Sequence, residues 1–531
     1  MTSTIPTANV GLAVMTTLRN YGIDTIFGIP GTHNLEFYRH LAPLGIHPVT
    51  TRHEQGAGYG SDGWSQLKGL PGVVITTSGP GLLNAMSAAA TSYCESRPMI
   101  ILSPGAPRGS EFSDIGLLHE TKDPTGAVRA LIGRSTRVSS GGEAVELIHQ
   151  AFELFAHGRP RPVHIEIPLD VLESASDVAP SALEARPLGA PMRAADDVIA
   201  EAVAALRGAS KPVILAGGGS LGTGDALVRL AEALNAPVVT TINGKGAIPE
   251  FHELSLGSEI RLNAAQQLCN DSDALLIIGS KVGESELWGG NIAPLGACIR
   301  VDIDPGQMTT NVEATVRLVG NAAAIVPQLL DGLAGHQPVA TPELDAMRQG
   351  LRAEARAMAP ELAKINDILA DALPADTVIA GDSSQITYFG TTSFFPMQAP
   401  HQLLYTPAYA TLGYGLPAAI GAKVAEPERT VVCLLGDGAL MFAVQEFITA
   451  VEQDVDLPII VVDNGGYGEI RQNMVDRNIT PVGVNLVQPD WVRLAEGFGL
   501  AGYRVESLDQ LAETVTKALT VNGPSLIHVI I

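Results

Sequence analysis

The sequence predicts an α/β protein of three domains, each a parallel sheet flanked by helices. The chain has 531 residues, a length that allows about three domains. Short apolar runs bounded by glycine alternate with amphipathic segments of helix length, a pattern typical of βαβ units. Two linker-like stretches, 172–192 and 331–345, interrupt this alternation. The predicted domains are therefore residues 1–172, 193–330 and 346–531, and the third is expected to begin with a helix around 346–372.

Composition and charge exclude several classes of protein. Apolar residues make up 46% and charged residues 17%, which describes a globular protein with a large core. The net charge of −23 argues against nucleic-acid binding. The four cysteines lack metal-ligand spacing and are expected to be free buried thiols. No signal peptide or membrane span is apparent, so a soluble cytoplasmic protein is expected.

The stretch that contains GDG at 436–438 forms one strand–helix–strand unit. Asp437 follows the apolar run 431–435, and Asn464 follows the apolar run 457–462. Open parallel sheets bind ligands at the carboxyl ends of their strands. Mg²⁺ prefers carboxylate, amide and carbonyl oxygens, and the glycines at 465 and 466 let a backbone carbonyl approach an ion. The alternative is that Asp437 only caps a helix.

GDG followed after 25 residues by Asn resembles the thiamine diphosphate motif of the pyruvate decarboxylase and acetolactate synthase superfamily. The resemblance implies that Asp437, Asn464 and the Gly466 carbonyl hold Mg²⁺, and that Mg²⁺ holds the diphosphate of the cofactor. It also places four neighbouring residues beside the cofactor: Gly436, Gly438, Ala439 and Tyr467.

RHEQGAGYGSDGW, residues 52–64, starts a helix with Glu54 just after a strand. Considered alone, Glu54 is an acid stabilised by the helix N-terminus. The segment resembles the glutamate helix of the same superfamily, which implies that Glu54 hydrogen-bonds N1′ of the cofactor's pyrimidine and promotes proton transfer. Proton transfer by such a positioned group accelerates a reaction roughly 10²–10⁴-fold. Asn84 is expected in the first turn of the helix after the loop SGPG, and the resemblance places it near the cofactor.

Two further segments resemble cofactor-contacting parts of the family. Ser383, Ser384 and Gln385 follow a predicted strand, where they either contact the diphosphate or form a helix-capping cluster. In YATLGYG, the resemblance makes Leu412 the apolar wedge that bends the cofactor. It also makes the Ala410 carbonyl an acceptor for the pyrimidine amine. Without the family, Leu412 would be an ordinary core residue.

The resemblance places four residues on the substrate side: Thr32, His33, His119 and Glu469. The alternatives are a surface histidine for His119 and a surface acid on a mobile loop for Glu469. The glycines at 217–224 form only a weak dinucleotide signature. FAD is not expected in the central domain, because the arginine-rich and glycine–histidine segments of acetolactate synthases are missing.

The resemblance implies an enzyme that decarboxylates a small 2-oxo acid with thiamine diphosphate and Mg²⁺. The motifs FGIPGTHNLEFYR, RHEQGAG, LLHE and EIRQNM resemble those of 5-guanidino-2-oxopentanoate decarboxylases, and Glu469 would pair with the guanidinium. One alternative is an acetolactate synthase-like carboligase that uses pyruvate. Others are a non-catalytic thiamine diphosphate-binding homologue and, on the weak glycine signature, a nicotinamide dehydrogenase.

Glu54 and Asp437 belong to different predicted domains. In the superfamily these two halves of the site meet across a subunit interface, so a homodimer or homotetramer is expected.

Overall fold

A computed structural model describes residues 8–339 and 344–531 of the protein. It contains three parallel sheets, each flanked by helices, which confirms the predicted fold class. Part of the predicted linker 331–345 lies outside the described residues. In the part of the chain that is described, no helix is both long and apolar enough to cross a membrane.

Within residues 8–172, the described part of the first domain, the first sheet has six strands and is accompanied by eight helices. Its strands are β1 Thr25–Gly28, β2 His47–Thr50, β3 Gly72–Ile75, β4 Met99–Gly105, β5 Ser135–Arg137 and β6 Val163–Pro168. Its helices are α1 Val10–Asn20, α2 Leu35–Tyr38, α3 Glu54–Lys68, α4 Pro80–Asn84, α5 Met86–Glu95, α6 Pro124–Ile132, α7 Gly141–His157 and α8 Leu169–Leu172. The strand order is β2-β1-β3-β4-β6-β5. Strands β1, β3 and β4 are buried along their whole length, as expected for a parallel sheet covered on both faces.

The central sheet has five strands in the order β11-β10-β9-β7-β8. Its strands are β7 Pro212–Ala216, β8 Val238–Thr240, β9 Ala274–Ile278, β10 Ala297–Asp302 and β11 Val316–Val319. Its helices are α9 Asp196–Gly208, α10 Asp225–Leu234, α11 Asn263–Asn270, α12 Glu284–Leu287 and α13 Ala322–Gly332. The glycines at 217–224 form a 3₁₀ turn, Gly218–Thr223, before α10.

The third sheet has six strands in the order β13-β12-β14-β15-β17-β16. Its strands are β12 Val378–Gly381, β13 Leu403–Leu404, β14 Val431–Gly436, β15 Pro458–Asp463, β16 Ala501–Val505 and β17 Ser525–Ile530. Its helices are α14 Leu344–Met358, α15 Pro360–Ala372, α16 Thr392–Phe394, α17 Gly415–Ala425, α18 Asp437–Leu440, α19 Phe447–Glu452, α20 Gly468–Asp476, α21 Trp491–Phe498 and α22 Leu511–Ala518. A π-helical segment, Ile386–Thr391, precedes α16.

Three details of the helices differ from the sequence prediction: two helices of the third domain are divided, and Asn84 has a different position in its helix. The helix predicted around 346–372 is two helices, because Pro360 lacks an N–H and the backbone of Ala359 before it is not helical (φ −153°, ψ 71°). The single helix predicted after GDG is divided into α18, a 3₁₀ turn and α19. Asn84 ends the short helix α4 and does not lie in a first helical turn as predicted.

The first and third domains of the chain pack together through α3 and α17. A Cβ at Gly63 would overlap the carbonyl of Ala418, and a Cβ at Gly421 would overlap the carbonyl of Gly60. Because both helices carry glycine at their contact, their backbones approach closely. This contact fixes α3, which begins at Glu54, against the third domain.

A buried histidine in the first sheet predicts a pH dependence of stability. His164 is fully buried in β6, with its ring nitrogens 2.8 Å from Ser103 Oγ and 2.7 Å from Ser135 Oγ. Burial lowers the pKa of His164 to about 3. Because this value lies below the unfolded pKa of about 6.5, the unfolded chain binds the proton first. The contribution to stability is complete above about pH 6.5 and falls by about 1.4 kcal/mol per pH unit below it.

We therefore expect His164→Gln to flatten the decline of the thermal unfolding midpoint between pH 7 and pH 5. His157→Gln, at a partly exposed histidine of α7, should leave that decline unchanged. Equal declines in wild type and His164→Gln would contradict the assignment.

Candidate active site

A cavity of about 290 Å³ lies at the carboxyl edge of the third sheet. Loops that follow β12, β14 and β15 form it, together with the loop before α17. Every residue predicted for the third-domain half of the site lines this cavity: Ser383, Ser384, Gln385, Ala410, Leu412, Gly436, Asp437, Gly438, Ala439, Asn464, Gly466, Tyr467 and Glu469. The structure thus brings together residues from three separate motifs of the sequence.

Asp437 is the central carboxylate of the cavity. It is buried, its Oδ2 accepts from Gln488 Nε2 (2.6 Å), and its Oδ1 accepts from the Asn464 N–H (3.4 Å). Burial, and after it the charge of Asp463, raises the pKa of Asp437 to about 6. Burial disfavours the charged form of this carboxylate, and a cation beside it would stabilise that form.

Asn464 and Gly466 have the features of cation ligands. The Oδ1 atom of Asn464 is buried and has no hydrogen-bond partner. Buried polar atoms in proteins are nearly always paired, so an unpaired one suggests a group that binds there. Gly466 has φ of 137°, and a Cβ there would overlap the Val484 carbonyl. The amide oxygen of Asn464 and the carbonyl oxygen of Gly466 are both of the type that binds Mg²⁺.

Side-chain ligands alone would not complete a metal site here. In the described ranges, no group of three or more His, Cys, Asp and Glu side chains is arranged to hold a metal ion. Mg²⁺ commonly takes one or two carboxylates and fills its remaining positions with phosphate oxygens and water. A single aspartate with an amide and a carbonyl therefore fits an ion that also binds a diphosphate.

Gln385 connects the cation ligands to Glu469. Its Oε1 accepts from Asn464 Nδ2 (3.2 Å), and its Nε2 donates to Glu469 Oε2 (3.0 Å). Tyr388 lines the same cavity, and burial together with the nearby Glu469 raises its pKa well above the usual value. The carboxylate of Glu469 is thus held in the cavity and oriented from the Asn464 side.

Ala410 and Leu412 also line the cavity. Ala410 has φ of 52°, a left-handed conformation that a residue with a Cβ seldom adopts. Gly413 has φ of 89°, and its N–H donates to Asp382. Burial raises the pKa of Asp382 to about 6.

The first-domain half of the predicted site lies elsewhere in the chain. Glu54 begins α3 and is 7% exposed, and its Oε2 accepts from Asn84 Nδ2 (3.0 Å). A Cβ at Gly81 would lie 2.9 Å from Glu54 Oε1, so the SGPG loop leaves room beside this carboxylate. Within the described residues, all side chains that line the third-domain cavity belong to the third domain.

His33 and His119 meet in a second cavity of about 530 Å³ in the first domain. Ser78 Oγ lies 2.6 Å from His33 Nδ1 and 3.4 Å from His119 Nδ1. Burial, and secondarily His119, lowers the pKa of His33. Thr32, which was predicted beside them, is exposed in the turn before α2. The structure does not bring His33 or His119 to Glu469 within one chain.

Comparison with known proteins finds a thiamine pyrophosphate binding domain at each end of the chain. Models of thiamine pyrophosphate enzymes match in three parts: the N-terminal TPP binding domain over residues 8–124, the central domain over 199–329 and the C-terminal TPP binding domain over 384–529. The chain is 37% identical to the probable 2-ketoarginine decarboxylase AruI of Pseudomonas aeruginosa, over 98% of this chain and 94% of that protein.

The chain belongs to the thiamine pyrophosphate enzyme family. Its cofactor is therefore thiamine diphosphate, and it is an enzyme of the decarboxylase or carboligase type. It is also 31% identical to a probable acetolactate synthase large subunit of Methanocaldococcus jannaschii, over 98% of this chain and 91% of that protein. It is 30% identical to the acetolactate synthase isozyme 3 large subunit of Escherichia coli, over 95% of this chain and 91% of that protein.

Some residues in or next to the cavity of this thiamine pyrophosphate enzyme were not predicted from the sequence. Gln488, which donates to Asp437, lies in NLVQPD, where no motif marks it. Tyr388 follows the Ser383–Gln385 cluster closely, and an aromatic residue just past a strand-end polar cluster was the available signal. Asp382 could have been noticed as a carboxylate at the end of β12.

Proposed function

We propose that the protein decarboxylates 5-guanidino-2-oxopentanoate with thiamine diphosphate and Mg²⁺. Asp437, Asn464 and the Gly466 carbonyl would hold Mg²⁺, and Ser383, Ser384, Gly436, Gly438 and Ala439 would surround the diphosphate. The unpaired Asn464 Oδ1 beside the buried Asp437 supports this assignment. When bound, the cofactor supplies an electron-accepting ring for the loss of CO₂. The residues of the chain bind it, orient it and move protons.

The active form is proposed to contain two copies of the chain, in which Glu54 of one copy serves the cavity of the other. Glu54 and Asn84 form a carboxylate–amide pair next to Leu83, which is 46% exposed, and Met441 and Phe442 near the cavity are 49% and 48% exposed. Apolar side chains exposed at both half-sites are typical of a surface that a partner covers. Sedimentation should give a dimer or tetramer, and a fully active monomer would contradict the proposal.

Glu469 is the observation that carries the substrate assignment. Its carboxylate lies in the same cavity as Asp437 and Asn464, held by Gln385 and near the Tyr388 ring. A guanidinium forms two parallel hydrogen bonds with a carboxylate and stacks on aromatic rings. The similarity to a probable 2-ketoarginine decarboxylase supports the same choice, since 2-ketoarginine is 5-guanidino-2-oxopentanoate.

We expect Glu469→Gln to raise KM for the guanidino acid roughly tenfold to a hundredfold, because a charge-assisted pair is lost. The variant should use 2-oxohexanoate, whose alkyl side chain is uncharged, as well as the wild type does. Asp476→Asn is the matched control, because Asp476 lies on the same helix α20 and is exposed. An equal loss on both substrates would contradict pairing with the guanidinium.

Identification of the product tests the reaction type. NMR of a reaction with the guanidino acid should show 4-guanidinobutanal and CO₂ in equal amounts. The second candidate is a carboligase, favoured by the similarity to acetolactate synthases. In that case pyruvate should give acetolactate, in which a new carbon–carbon bond replaces protonation.

A further inference from the structure

The loop that carries Ala410 and Leu412, residues 405–412, is held in place by side chains of the first domain. It joins β13 to α17, and two of its residues line the cofactor cavity. Its backbone contains the left-handed Ala410, with φ of 52°. A residue with a Cβ keeps such a conformation only when surrounding contacts determine it. Two side chains that contact the loop come from the last residue of α5 and the turn after it.

Glu95, the last residue of α5, binds the middle of the 405–412 loop. Its Oε1 accepts from the N–H groups of Ala408 (2.9 Å) and Tyr409 (3.1 Å). Its Oε2 accepts from Nδ2 of Asn243 (2.8 Å), in the central domain. One carboxylate therefore joins all three domains and fixes the two amides directly before Ala410.

Arg97 binds the first residue of the loop. Its Nη2 donates to the Tyr405 carbonyl (2.6 Å), and its Nη1 donates to Asp62 Oδ2 (2.7 Å) and Tyr414 Oη (3.2 Å). The Tyr414 hydroxyl donates to the same Asp62 oxygen (2.7 Å). Asp62 lies on α3, and its side chain is 3% exposed against 12% for Arg97. The start of the loop and the residue that precedes α17 are thus bound to one buried ion pair.

We propose that Glu95 and Arg97 are positioning residues of the active site. They hold the 405–412 loop so that the Ala410 carbonyl and Leu412 lie where thiamine diphosphate needs them. The inference that Ala410 and Leu412 contact the cofactor rests on the proposed function. It follows that cofactor binding in the third domain depends on contacts with the first domain of the same chain.

The test compares Glu95→Ala and Glu95→Gln in the full-length protein. Hydrogen exchange is measured over 405–412 without cofactor, and affinity for thiamine diphosphate with Mg²⁺ is measured by calorimetry. Glu95→Ala should accelerate exchange at Ala408 and Tyr409 and weaken cofactor binding roughly tenfold, because two hydrogen bonds to a charged group are lost. Glu95→Gln should recover part of both, since its amide oxygen accepts the same N–H groups.

Arg159→Ala is the matched control. Arg159 also connects the first domain to the central domain, through Asp302 (2.9 Å), and none of its hydrogen bonds or ion pairs reaches the 405–412 loop in the described structure. It should leave loop exchange and cofactor affinity as in wild type. Wild-type exchange and affinity in Glu95→Ala would overturn the proposal, and so would equal losses in Arg159→Ala.

Should Glu95→Ala fail to fold, Glu95→Gln and Arg97→Lys carry the same measurements, because both keep the buried volume. Both should show faster exchange over 405–412 than wild type, and wild-type exchange in both would overturn the proposal. None of these measurements uses a 2-oxo acid. A wrong substrate assignment would therefore leave their outcome unchanged.

Discussion

Glu54→Gln should bind thiamine diphosphate as well as wild type and lose roughly 10²–10⁴-fold in kcat, the usual contribution of a positioned proton-transfer group. Glutamine keeps the shape of Glu54 and an oxygen that accepts from Asn84 Nδ2. It lacks the ionisable proton that the cofactor's pyrimidine needs. Calorimetry with thiamine diphosphate and Mg²⁺ measures the first expectation, and steady-state CO₂ release measures the second.

A second helix start provides the control for this prediction. Glu143 lies in the first turn of α7 and is partly exposed, so it shares the favourable position of an acid at a helix N-terminus. Glu143→Gln should leave kcat unchanged. Full turnover by Glu54→Gln would contradict a role in proton transfer and leave Glu54 only the role of an acid at a helix N-terminus.

Asp437→Ala should weaken Mg²⁺-dependent cofactor binding roughly a hundredfold or more. Even residues that only hydrogen-bond to metal ligands contribute about 10–100-fold to metal affinity. The fold should survive the change. Burial raises the pKa of Asp437 to about 6, so the charged carboxylate costs stability above that pH in the protein without metal. The unfolding midpoint at pH 8 without cofactor should therefore stay close to that of wild type.

The affinity for thiamine diphosphate is measured with and without Mg²⁺. In wild type the metal should strengthen binding, and in Asp437→Ala it should have little effect. Asp456→Asn is the control, because this exposed carboxylate of the same domain accepts from the Gly523 N–H away from the cavity. Undiminished Mg²⁺-dependent affinity in Asp437→Ala would remove the residue from the metal site.

The sequence was most informative where chemistry and backbone constraint coincide. Asp437 and Asn464 follow buried strands that proved to be neighbours, β14 and β15, so their convergence at one sheet edge could be predicted. Gly466 was predictable because only glycine leaves its carbonyl free to approach at that conformation. In these places one short motif predicts both the local structure and the side chains that meet at the sheet edge.

Tertiary contacts could not be predicted in the same way. Where the helix after GDG is divided, the buried Glu446 accepts from the Arg52 N–H of the first domain (3.1 Å). Gln488 reaches Asp437 from a segment without periodicity. Likewise, the pairing of Glu95 with Ala408 joins residues far apart in sequence. Such contacts depend on how the domains pack, which local patterns do not encode.

The most direct test of the proposed function is CO₂ release by the purified protein with thiamine diphosphate and Mg²⁺. The 2-oxo acids to compare are 5-guanidino-2-oxopentanoate and pyruvate, at equal concentrations. The proposed function predicts a clearly higher kcat/KM for the guanidino acid. A higher kcat/KM for pyruvate, or no CO₂ from the guanidino acid, would contradict it.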